Sequence, residues 1–214
     1  MIAGTLLDHV TGDYKGPIIG TNCLVLKQVT RGLAFLHENK ICHRELKPSN
    51  IFISHTLSSK NGTLRPTMKL GNFGIYRKTG QKLLLEMPCS KSWLPPEAHG
   101  KFTFTAAMDL FALGCLYGFT LSRGRHPYGN DEENRVSRIK KKEPMTLTVE
   151  HLKNVESSAS VFQLICSLLN ADPTQRPSAK RVLKNAFFSK TLKAESGASL
   201  QGNNNFHIVL FFYF

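Results

Sequence analysis

Cys42-His43-Arg44-Glu45-Leu46-Lys47-Pro48-Ser49-Asn50-Ile51-Phe52-Ile53 crowds a histidine, two permanent cations, a carboxylate and a carboxamide into residues 43–50 and then turns abruptly apolar. A run this polar, broken by Pro48, belongs to a loop rather than to a helix. The β-branched and aromatic residues Ile51, Phe52 and Ile53 that leave it predict a short strand. Residues 55–66 are rich in turn formers, with Asn61-Gly62 near their middle, so this strand is expected to fold back on Met68–Leu70 as a hairpin. The polar run is thereby held between a strand and whatever precedes it.

Upstream, residues 22–38 place Leu26, Val29, Leu33 and Leu36 at helical spacing, with Asn22 as the expected N-cap. Downstream, residues 72–96 show no clear period and read as a loop, whereas 105–121 are apolar on nearly every side and predict a helix buried in the middle of the domain. A polar stretch at 122–144 follows, with Arg135–Lys142 as its basic core. Residues 160–169 then put Val161, Leu164, Ile165 and Leu168 on one helical face, and Pro177 is expected to open a last helix through Lys184. The fold class is mainly α (α+β), with one small β element near the front.

Composition narrows the class further. Of 214 residues, 41% are hydrophobic and 20% charged, the balance of a globular domain. No apolar run approaches the roughly 18–20 residues of a membrane span, and no basic-then-apolar leader opens the sequence. Five scattered cysteines without a CxxC pair suit a reducing, cytoplasmic compartment better than a disulfide framework or a zinc site. The net charge of +13 is compatible with phosphate-bearing partners. The basic run itself reads as a solvated face rather than a nucleic-acid patch.

The string His43-Arg44-Glu45-Leu46-Lys47-Pro48-Ser49-Asn50 resembles the catalytic loop of eukaryotic protein kinases, HRDLKxxN. It is followed in kinase order by Gly71-Asn72-Phe73-Gly74 where Asp-Phe-Gly would stand, and by Pro95-Pro96-Glu97 where Ala-Pro-Glu would stand. Asp109 then opens a segment similar to the central helix of a kinase C-terminal lobe, and Arg176 sits where the family places the partner of the Pro-Glu glutamate. Within the kinases, HPYG at 126–129 and DPTQRPSAKRVLKNAFF at 172–188 resemble the inositol-requiring kinase/endoribonuclease of the unfolded-protein response. The resemblance implies a protein-kinase-like C-lobe over residues 1–188. It implies a low-complexity, disordered tail over 189–214, too short for a ribonuclease domain. Only 42 residues precede His43, with neither a Gly-rich phosphate loop nor a strand lysine, so the N-lobe is expected to be missing.

The resemblance also assigns roles. Family chemistry is ATP- and Mg²⁺-dependent phosphoryl transfer to a Ser or Thr hydroxyl of a protein substrate. Glu45 would orient that hydroxyl, Lys47 would contact the transferred phosphoryl group, and Asn50 with Asn72 would hold Mg²⁺. Lys47, Asn50 and Asn72 are thus the nucleotide-side residues. Two of these positions depart from the pattern. Glu45 keeps a carboxylate but adds a methylene, and misplacement on the order of 1 Å costs ~100-fold in rate. Asn72 offers a neutral oxygen where the family has a charged one, and it is also a residue type that tolerates unusual backbone angles. The scaffold positions Glu97, Arg176 and Asp109 are kept. Arg44 would pair with a phosphorylated residue, for which Thr79, Ser90 and Ser92 are candidates, and Ser90 falls near the catalytic base. The expected function is a degenerate kinase, or pseudokinase, serving as a binding module that pairs with a related kinase. The alternative is an active serine/threonine kinase of the unfolded-protein-response type, of which these 214 residues are a part.

Overall fold

The helix expected at 105–121 is the axis of the molecule. In the computed structural model, which describes residues 2–57, 62–72, 77–78, 90–99 and 104–189, it runs as α3 (Ala106–Leu121). Nearly all its side chains are buried, among them Phe111, Leu113, Leu116 and Tyr117. Around it lie β1 (Ile2–Thr5), α1 (Leu6–Thr11), α2 (Asn22–Glu38), β2 (Ile41–Cys42), β3 (Ile51–Leu57), β4 (Leu64–Leu70), β5 (Arg77–Lys78), α4 (Glu132–Lys140), α5 (Ser158–Leu168) and α6 (Ala179–Val182). A helix apolar all round is stable only if other elements cover every side of it. Here α2 and α5 do much of that covering.

α2 buries the expected Leu26, Val29, Leu33 and Leu36. Its cap is Thr21 rather than Asn22: the Thr21 hydroxyl accepts from Leu24 N at 3.3 Å, leaving Asn22 as the first helical residue. A threonine one residue upstream competes for the same orphan amides and has the extended backbone an N-cap needs. α5 carries Val161, Leu164, Ile165 and Leu168 inward as expected. Where it meets α3, Gly114 leaves no room for a side chain, since a Cβ there would lie 2.8 Å from the Leu168 Cβ.

The expected hairpin forms, antiparallel, with Phe52 opposite Lys69 and Ile53 opposite Met68. Residues 58–61, including Asn61, lie outside the described residues. β1 adds on the far side of β3, giving the order β1-β3-β4, and β2 pairs with β5 as a separate ribbon. Among the described residues the β content is thus two small sheets, not one, because the short strands β1, β2 and β5 lack a run long enough to signal themselves. The outer edge of β4 is closed by a side chain. Gln28 of α2 donates from Nε2 to Pro66 O at 3.1 Å and accepts from Met68 N at 2.9 Å, as a neighbouring strand would. Pro66, which has no amide to offer, falls on that outward register.

Two further expectations change. The polar stretch at 122–144 contains helix α4, capped by Asp131, with Glu132 and Glu133 in its first turn and Arg138 and Lys140 in its last. The basic run is thus largely the C-terminal half of a helix, where cations complement the macrodipole. The last helix is four residues, capped by Ser178, so Pro177 precedes the cap instead of opening the helix. Among the described residues Cys23, Cys42, Cys115 and Cys166 form no disulfide; Cys89 lies outside them. No helix of the described residues is long and apolar enough to cross a membrane. The expected tail lies outside the described residues from 190 onward.

Candidate functional site

The loop at 43–50 is fixed from below by a buried carboxylate. Asp109, in the first turn of α3, accepts from His43 N and Arg44 N at 2.8 Å each, and His37 Nε2 of α2 lies 2.9 Å from its Oδ2. A carboxylate buried in an apolar helix is tolerable only when its oxygens are satisfied in this way. The loop bends to reach it, and Arg44 takes a left-handed backbone with φ of 74°. His43 is wholly buried. Burial pushes its imidazole below the ordinary value, against the pull of Asp109 and a backbone hydrogen bond at Gly71. The Arg44 guanidinium lies 3.7 Å from the centre of the Phe104 ring, within a small apolar cluster of Leu94, Ala98, Phe104 and Met108.

Above that floor the four residues singled out from the sequence come together. Glu45 accepts from Lys47 Nζ at 2.7 Å on Oε1 and from Asn72 Nδ2 at 2.7 Å on Oε2. Lys47 also donates to the Ser90 hydroxyl at 2.7 Å, and Ser90 Oγ lies 3.5 Å from Glu45 Oε1. Asn50 donates to Glu45 O at 2.8 Å and turns its Oδ1 toward Asn72 Nδ2 at 3.5 Å. Asn72 reaches this position with φ of 62°, a conformation asparagine accepts more readily than most residues. The glycine before it is required by contact: a Cβ on Gly71 would lie 2.3 Å from the Phe52 ring. Phe73 and Gly74 lie outside the described residues, as does Thr79.

The donor set fits Mg²⁺ poorly. That ion takes octahedral oxygen ligands, with one or two carboxylates among them. Here the one carboxylate already faces an ammonium and an amide N–H, and the other candidates are neutral carboxamides. Among the described residues no group of three His, Cys, Asp or Glu is arranged to hold a metal.

The anchoring frame is intact. Arg176 grips Glu97 through two parallel hydrogen bonds, Nη1 to Oε1 at 2.6 Å and Nη2 to Oε2 at 2.9 Å. It also donates to Ala107 O and Asn170 O at 2.8 and 2.9 Å. Its side chain is fully buried, while Glu97 is 28% exposed. Trp93 packs edge-on against His126 and Phe119, with centroids 4.9 and 5.8 Å apart. Ser92 is buried and donates to Glu132, so neither Ser90 nor Ser92 stands idle. Sequence reading missed His37 and Phe104, and named Gly71 within a motif string without its role. No spacing in the sequence reports the first two, and the third is visible only once Phe52 has a direction.

Residues 13–188 match the family model described as the protein kinase domain. Similar curated proteins include a serine/threonine-protein kinase/endoribonuclease, ire-1, of Caenorhabditis elegans, 29% identical over 171 residues that cover 77% of this chain and 17% of that protein. The kinase/endoribonuclease IRE1a of Arabidopsis thaliana is 35% identical over 182 residues, covering 83% of this chain and 20% of that protein. The kinase/endoribonuclease IRE2 of Homo sapiens is 34% identical over 173 residues, covering 77% and 18%. The chain therefore spans about a fifth of the length of these relatives.

Proposed function

Since this chain belongs to the protein kinase domain family, we propose that it is a C-lobe in which phosphoryl transfer has been eroded while the scaffold is kept as a binding module for a kinase of its own kind. In the family, ATP with Mg²⁺ supplies the phosphoryl group and a protein Ser or Thr hydroxyl receives it. On this reading Glu45 is the residue that would orient the hydroxyl, Lys47 the one nearest the transferred group, and Asn50 and Asn72 the nucleotide-side pair. The observation that carries the proposal is the contrast between two clusters. The frame of Asp109, Glu97 and Arg176 makes the contacts that the sequence resemblance implies: Asp109 with the backbone of the loop, and Glu97 with Arg176. The chemical cluster has its only carboxylate committed on both oxygens to protein groups. A carboxylate that already accepts from an ammonium and an amide has to share its oxygens with any incoming hydroxyl. Selection that retained the first and relaxed the second is what a partner-binding role would leave.

The test is co-purification of the tagged full chain with a full-length kinase of the same family. Retention of the complex at micromolar concentration is the expected result, and monomer alone across that range would overturn the proposal. A cytoplasmic location follows from the same reading, since a partner kinase domain would have to be met there.

Retained Lys47 and Asn50, with relatives named as serine/threonine kinases, favour a second reading, an active serine/threonine kinase. Transfer of labelled phosphate from ATP to a protein substrate by the unaltered chain would support it. If the erosion argument holds, Glu45→Asp with Asn72→Asp raises whatever rate is measured at least tenfold; an unchanged rate would contradict it.

A further inference from the structure

We propose that the groove between α4 and residues 90–93 is a docking site for an extended stretch of a partner protein that carries a cation and a carboxylate three or four residues apart. Such docking stands whether or not the chain transfers phosphate or pairs with a related kinase.

Ser90 and Lys91 form one wall of the groove, and Glu132, Glu133, Val136 and Lys140 of α4 form the other. Spacing by four residues puts Glu132, Val136 and Lys140 on one face of the helix. At about 1.5 Å per residue, the two carboxylates lie roughly 10–12 Å from Lys140 along the helix axis, with Val136 between them. The helix dipole accounts for acid at one end and base at the other. It accounts neither for Lys91 on the facing wall nor for the hollow of 490 Å³ between the walls.

The four charges are exposed and unspent. Among the described residues none of them enters an ion pair, although Arg138 nearby pairs with Glu143 at 3.4 Å. Their one side-chain hydrogen bond there is from Ser92 Oγ to Glu132 Oε1, at 3.3 Å. The two ammoniums act on a common volume. Burial first, then Lys140 and in smaller part Lys91, hold the His99 imidazole below its ordinary value. A partner carboxylate is therefore drawn to Lys140 and Lys91, and a partner cation to Glu132 and Glu133. The size of the hollow selects the backbone. Two turns of helix would fill roughly 800 Å³, more than the groove holds, whereas an extended chain at about 3.3 Å per residue joins the two ends in three or four residues.

The probe is a synthetic library of short peptides, varied in the sign and spacing of their charges, captured on the immobilised full chain and read by sequencing. Peptides with a cation and a carboxylate three or four residues apart should be enriched about threefold or more over isomers with the two adjacent. High salt should erase the difference. Lys140→Glu should shift the preference toward peptides with two cations, and Glu133→Lys should weaken the preference for a cation. Both positions are exposed, and far-ultraviolet dichroism identifies a variant that does not fold, in which case the other decides. Absence of any charge-spacing preference in the unaltered chain would overturn the proposal, as would a preference that neither folded variant moves. So would self-association that Lys140→Glu abolishes while no peptide is captured, which would make the groove a contact between copies of this chain. Peptide capture reads neither phosphoryl transfer nor association with a related kinase, so its failure is distinct from theirs.

Discussion

Arg176 is the single residue whose loss should cost most. Its side chain is fully buried, and four hydrogen bonds spread from it to Glu97, Ala107 and Asn170. Removing one member of a buried pair typically costs ~3–5 kcal/mol, and partial exposure of Glu97 puts Arg176→Met near the lower end, to be read from urea denaturation. Histidines set the acid limit. Burial above all, with Arg135 adding to it, holds the His126 imidazole well below its ordinary value of 6.5. His43 and His99 are lowered in the same direction, again chiefly by burial. The unfolded chain therefore takes up protons near 6.5 that the folded chain refuses. Their contribution to stability is complete above that pH and is lost as pH falls below it toward the depressed folded values. The melting temperature should drop between pH 7 and pH 5, and His126→Gln should make that drop shallower. At this scale the motif string alone made Glu45, Lys47, Asn50 and Asn72 legible. What it did not carry is direction. That Lys47 turns to Glu45 and Ser90, and Arg44 to Phe104, depends on how segments far apart in sequence pack.

Elements were legible in proportion to their burial. α2, α3, α5 and the β3–β4 hairpin each bury a patterned face, and each falls within a few residues of its expected place. α4 escaped notice because it buries little beyond Ile139 and owes its stability to its ends, an aspartate cap and charges matched to the helix dipole. β1 and β2 exist only because partners distant in sequence complete them. The contact of α3 with α5 is the least forgiving of these joints. Alanine is the better helix former, by ~1 kcal/mol over glycine. Yet Gly114→Ala would force a methyl into the Leu168 and Leu169 side chains. The expected net is a loss of about 1–3 kcal/mol, measurable as a lower denaturant midpoint with an unchanged slope.

At the scale of the whole molecule, the frame is built separately from the candidate chemical cluster. The Glu97–Arg176 grip and the Asp109 floor hold the fold through the chain's own side chains and backbone, which the proposed binding module would require. Gln28 has a consequence of the same kind. A three-stranded sheet presents two raw edges, and any raw edge is a template on which a second chain can lengthen the sheet indefinitely. By supplying one donor and one acceptor to β4, Gln28 seals that edge with a single side chain, and the amide-less Pro66 blunts it further. Gln28→Ala should therefore show itself less in the melting temperature than in the fate of the loosened chains. Gently warmed samples should scatter light and bind thioflavin sooner than the unaltered chain; equal onset for both would mean the edge is protected by other means.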